Sequence, residues 1–124
     1  MTEAELQAQV VQLAGLCGWR VMHVRKSVGR RGGKSAWQTT TSIKGWPDCA
    51  FWRPGCFFVA ELKSDTGTVS ADQKAVLAEL REAGVPSFVW RPRDWDEIQA
   101  ALQHGPTGRG SGHAVSGPGS GADL

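Results

Sequence analysis

The dipeptide Pro54-Gly55 constrains this chain more than any other feature. It stands between two apolar runs, Cys49-Ala-Phe-Trp-Arg53 and Cys56-Phe-Phe-Val-Ala60. Runs rich in Phe, Trp and Val that flank a turn dipeptide read as antiparallel strands joined by a hairpin. With a two-residue loop, Arg53 faces Cys56, and each outward step pairs the next two residues. Asp48 then lies opposite Glu61, and Lys63 shares their face because strand side chains alternate. A Pro-Gly turn suggests type II, whereas two-residue hairpins prefer the primed types, so a longer loop is the alternative. A one-residue slip would put the two carboxylates on opposite faces. The face compositions argue against a slip. In the two-residue register one face reads Cys49, Phe51, Phe58, Ala60 and Leu62, broken only by Arg53 beside the turn, and is a core face. The other carries Asp48, Glu61 and Lys63 at one end and Trp52, Phe57 and Val59 towards the turn.

Facing carboxylates with Cβ atoms about 4.5–5.5 Å apart repel unless a cation lies between them. A divalent metal is the natural candidate, and Lys63 stands beside it. This is the layout of a metal-dependent phosphodiesterase site. Such hydrolysis needs an activated water, charge neutralisation at phosphorus and stabilisation of the leaving oxygen. Mg²⁺ on two carboxylates serves the first two needs, with Mn²⁺ as a substitute, and a lysine can orient the water or neutralise developing charge. The expected ligands are therefore Asp48, Glu61 and the backbone carbonyl of Leu62, with Lys63 as the catalytic cation.

The charge distribution names the partner class. Net charge is only +2, yet no acidic residue occurs between Glu5 and Asp48, while Arg20, Arg25, Lys26, Arg30, Arg31, Lys34 and Lys44 all do. A one-sign block beside candidate metal carboxylates fits a polyanion rather than a small molecule. Arg25, Lys26, Arg30, Arg31, Lys34 and Lys44 are the expected DNA contacts, and Trp37 and Trp46 the candidates for stacking on bases. Trp19, Trp52, Trp90 and Trp95 read as core, and His23 as a partly buried strand residue. The 124 residues include no apolar run near 18 and no signal-peptide pattern, so a soluble, cytoplasmic protein with no membrane partner is expected. Cys17, Cys49 and Cys56 lie in apolar segments without metal-ligand spacing and read as reduced core cysteines.

Residues 3 to 17 read as a helix with a Thr2–Glu5 capping box and a stripe of Leu6, Val10, Leu13 and Cys17. Residues 19 to 25 read as a strand, and 27 to 45 as a long loop. After the hairpin, a Ser70–Gln73 capping box opens a helix to about Ala83, with Gln73, Val76, Leu77, Leu80 and Ala83 inward. Val85 to Arg91 is a strand, and Asp94 caps a last helix with Trp95, Ile98 and Leu102 inward. The order is α-β-β-β-α-β-α, an α/β fold with a mixed sheet flanked by helices. One domain is expected over residues 1–103; residues 104–124, rich in Gly, Ser and Pro, read as a disordered tail.

Asp48 with Glu61-x-Lys63 resembles the PD-(D/E)xK nuclease motif. The longer string Gly45-Trp-Pro-Asp48, Ala60-Glu-Leu-Lys63, Gly67, Ser70, Gln73, Gly84 and Trp90-Arg-Pro92 resembles the small stand-alone VRR-Nuc domains of phages and bacteria, relatives of Holliday-junction resolvases. The resemblance runs from about residue 3 to 102. It implies a restriction-endonuclease-like fold, a Mg²⁺- or Mn²⁺-dependent endonuclease acting on branched or otherwise structured DNA, and a homodimer in a bacterial or phage-infected cell. It also implies a catalytic role for Gln73 and a carboxylate from the first helix. For that carboxylate Glu3 lies nearest the apolar stripe, Glu5 is engaged in the capping box, and the match by distance from the helix end falls nearer Gln7. A non-catalytic DNA-binding module on the same fold and a restriction-type nuclease are the alternatives.

Overall fold

In the computed structural model, the structure describes residues 1–24, 27–31, 34–38 and 43–106. The elements are α1 (Glu3–Leu16), β1 (Arg20–His23), β2 (Ser27–Arg31), β3 (Lys34–Gln38), β4 (Cys49–Arg53), β5 (Cys56–Leu62), α2 (Ala71–Glu82), β6 (Ser87–Trp90), a 3-10 turn (Pro92–Asp94) and α3 (Trp95–His104). The main sheet has the order β1-β4-β5-β6, with β1, β4 and β5 antiparallel in succession and β6 parallel to β5. Its strands and the three helices follow the expected order α-β-β-β-α-β-α. The difference lies between β1 and β4. The stretch expected to be a loop carries an antiparallel ribbon in which Arg31 pairs with Lys34. The signal for it was local: Gly32-Gly33 falls between the two strands, a dipeptide that hairpins favour.

The hairpin register is the two-residue one. Arg53 pairs with Cys56, Phe51 with Phe58 and Cys49 with Ala60. Gly55 has φ +83°, the sign a Pro-Gly type II turn requires at its third residue. The turn type therefore did not displace the register, because a slip would have moved Phe51, Phe58 and Leu62 out of the core.

Helices cover both faces. On one face Phe51, Phe58, Ala60, Leu62, Phe88 and Trp90 pack with Leu6, Val10 and Ala14 of α1 and Ile98, Ala101 and Leu102 of α3. Phe58 is the hub of this core: its ring lies 5.0 Å from Trp19, 4.6 Å from Phe51, 5.8 Å from Phe88 and 5.7 Å from Trp90. Arg53, the one charge on the face, lies over the Trp19 ring at 4.3 Å and donates to the carbonyls of Cys17 and Gln103. It thereby holds the end of α1 to the end of α3. On the other face Leu77 and Leu80 of α2 cover Ala50, Val59 and Val89.

Both capping boxes form as expected, Thr2 with Glu5 and Ser70 with Gln73. Hydrogen bonds from Thr2 hold the Glu5 carboxyl below its ordinary pKa, so Glu5 serves the helix end. Asp94 behaves differently from expectation. It makes no side-chain cap to α3, and its carboxylate instead accepts from the Arg91 N–H at the 3-10 turn. The three cysteines are free thiols. Trp19 and Trp90 are buried and Trp95 is half-buried, but Trp52 is exposed, as is His23, because α2 stops short of the turn end of the sheet and β1 is its edge strand. No described helix is long and apolar enough to cross a membrane. The region read as a tail lies, from residue 107, outside the described residues.

Candidate active site

The register that builds the core also carries Asp48, Glu61 and Lys63 to one end of the sheet. Asp48 sits one residue before β4, after the fully buried Pro47. Its backbone carbonyl accepts from Val24 N–H at 2.8 Å, and its carboxylate Oδ2 accepts from Leu62 N–H at 2.9 Å. The acid thus extends the β4–β5 ladder with a side chain where the strand has ended. The N–H and C=O of a strand residue leave on the same side, so the Leu62 carbonyl also faces the Asp48 side of β5.

Glu61 is wholly buried. Its Oε2 receives a hydrogen bond from Gln73 Nε2 at 2.7 Å and lies 3.5 Å from Lys63 Nζ. Gln73 is held at its other end, since Oε1 accepts the Ser70 N–H at 2.8 Å. One side chain therefore closes the capping box of α2 and orients the Glu61 carboxylate. The expected helix cap is present, and the same amide makes a contact with Glu61. The Lys63 side chain is 13% exposed, and its backbone N–H is bonded to Trp90 O at 3.0 Å.

Two arrangements were invisible to residue patterning. Arg91 Nη1 donates to the carbonyls of Ser64 and Gly67, both at 2.7 Å, and so ties down the loop that leaves Lys63. Arg93 adds bonds to Asp65. The Gly45 backbone passes so close to α2 that a Cβ there would stand 2.5 Å from Asp72 O and 2.9 Å from Gln73 N, and its φ is +94°. Gly45→Ala combines left-handed strain with a backbone clash, an expected cost of about 2–3 kcal/mol. Urea denaturation reads the loss, and an unchanged midpoint would mean that the loop does not press on α2.

No match to this chain is found among protein-family models, curated proteins or solved structures. The chemistry of the site therefore rests on its own geometry. Buried carboxylates are costly unless paired, hydrogen-bonded or bound to metal. Asp48 and Glu61 supply hard oxygen donors of the kind Mg²⁺ prefers, and Mg²⁺ commonly takes only one or two protein carboxylates, completing its shell with water and phosphate. The donor set fits such an ion. Among the described residues no group of three or more His, Cys, Asp or Glu is placed to hold a metal. Glu3 is exposed in the first turn of α1 and forms no such group with Asp48 and Glu61.

Cys49, next to the site, is not a nucleophile. Burial, with the nearby Asp48 and Glu61 carboxylates adding to it, pushes its thiol far above the usual range and keeps it protonated. Of the expected DNA contacts, Lys44 is exposed and lies 3.5 Å from Asp72. Arg30 and Arg31 belong to β2 and Lys34 to β3, whereas Arg25 and Lys26 lie outside the described residues.

Proposed function

We propose that this chain is a metal-dependent DNA endonuclease that hydrolyses phosphodiester bonds in branched or otherwise structured DNA. The observation that carries the reading is the convergence at one end of one sheet face of two buried carboxylates, Asp48 and Glu61, with Lys63 Nζ 3.5 Å from Glu61 Oε2. A fold has no need to bury two acids there, and a protein that merely binds a polyanion gains nothing from acids facing it. Asp48 and Glu61 would hold Mg²⁺, with the Leu62 carbonyl beside them. When bound, that ion supplies Lewis acidity and a water of lowered pKa. Lys63 places a cation where charge develops on the phosphate oxygens, and Gln73 fixes the rotamer of Glu61. The acid-free stretch from Arg20 to Lys44 supplies cations for the phosphate backbone.

The test is a panel of labelled flap, nicked, four-way and plain duplex DNAs incubated with the protein in Mg²⁺, Mn²⁺ or EDTA. Cleavage of at least one substrate in either metal, and of none in EDTA, is expected. Binding to branched DNA without cleavage in any metal would replace this reading with that of a DNA-binding module.

A further inference from the structure

Among the described residues, the sheet face that carries Asp48, Glu61 and Lys63 is only partly covered. α2 seals Ala50 and Val59, but nearer the Pro54-Gly55 turn the same face ends in Trp52, 39% exposed, and Phe57, 43% exposed. These two are paired across the hairpin, with ring centroids 6.5 Å apart and planes inclined at 34°. Met22 of β1, 52% exposed, continues the patch beside Ala50, and exposed Arg20 stands directly opposite Trp52. β1, β4 and β6 carry no acidic residue, and β5 carries only Glu61, at its far end.

That charge pattern selects the occupant. In a two-fold pairing of copies the patch would meet itself, setting Arg20 against the partner copy's own cation with no acid on these strands to offset it. A nucleic acid strand supplies what the patch lacks, phosphate for the arginine and π-faces for the rings. Bases inside a duplex are already stacked on each other and present only their edges, so the rings call for unpaired bases. We infer that Trp52 and Phe57, with Arg20, form a stacking platform for an unpaired segment of DNA.

Phe57 and Glu61 lie four residues apart on β5, about 13 Å at the usual strand rise. Ala50 and Val59, under α2, lie between the two, so the platform and the carboxylates stand at opposite ends of one sheet face. The inference rests on the proposed nuclease reading for what is cut, and it narrows the substrate to DNA that carries an unpaired segment rather than a fully paired four-way junction.

Binding is measured in EDTA, so that no cleavage occurs, by anisotropy of a labelled oligothymidylate of about 16 nucleotides and of a duplex of equal length. Replacing Trp52 and Phe57 together with alanine should weaken single-strand binding at least about tenfold relative to duplex. Trp52→Phe, which keeps a π-face, should retain most of the affinity. Phe57→Leu, which keeps apolar volume without one, should not. Equal affinity of the double variant and wild type for the oligothymidylate would overturn the proposal. So would loss of a dimer in sedimentation with oligothymidylate affinity intact, since the patch would then be a protein interface. The readouts are separable: a platform effect without cleavage of any DNA sinks the nuclease reading alone, and cleavage with no platform effect sinks this one alone.

Discussion

Glu61→Ala is expected to lower DNA cleavage by at least about 10³-fold, the scale seen when a group that stabilises the transition state is deleted. Alanine also leaves Lys63 and Gln73 without the oxygen they address. Glu61→Gln is therefore the sharper variant, because it keeps the shape and removes the charge that would hold the metal. Its activity should fall as far as that of Glu61→Ala, while its thermal midpoint falls less. Lys63→Ala should lose activity on the same scale and also some stability, because Lys63 neighbours the buried Glu61 carboxylate. Gln73→Ala touches the carboxylate and not the substrate, so its expected loss is smaller, about 10–100-fold. That order of effects is the signature of the arrangement. Equal cleavage by wild type, Glu61→Gln and Lys63→Ala in gel assays would sink the site assignment.

Phe58→Ala is expected to destabilise the fold more than any substitution at the site. The side chain is wholly buried and touches four other aromatic rings. Truncating a buried Phe usually costs about 3–5 kcal/mol through lost transfer energy and the cavity left behind. Edge-to-face and stacked pairs add about 0.5–1.5 kcal/mol each beyond area burial, although the four are not additive. Total stabilities are about 5–15 kcal/mol, so this one change removes a large share. Denaturant titration should show a much lower midpoint with an unchanged slope. A loss below 1 kcal/mol would mean that the ring cluster is loosely packed and that the face has been misjudged as the core.

Much of this was legible from local chemistry. The hairpin register followed from Pro54-Gly55 and from the need to keep Phe51 and Phe58 inside. Both capping boxes and the α2 stripe followed from spacing alone, although Ala83, at the foot of that stripe, is exposed. What escaped depends on how far one element reaches over another. A 12-residue helix is about 18 Å long, and no residue pattern says where along the sheet it will stop. Hence Trp52 was expected in the core and lies outside it. The Arg91 clamp escaped for a similar reason: its partners are backbone carbonyls 24 and 27 positions earlier, and carbonyls leave no mark in a sequence. Glu3 sits near an apolar stripe that packs on the other face of the sheet, and it forms no metal-holding group with Asp48 and Glu61 among the described residues.

Asp48 has a consequence for reading other chains. Its carboxylate stands in for a missing strand partner by accepting the Leu62 N–H. Any acceptor of that shape, asparagine included, would satisfy the sheet, and alanine would leave a buried donor unmet, at about 1–3 kcal/mol. Asp48→Asn should therefore keep this hydrogen bond while removing the charge. Position 63 answers to the charge at position 61, so an aspartate before β4 meets a need of the sheet, whereas a second buried acid with its own lysine at the same strand end meets none.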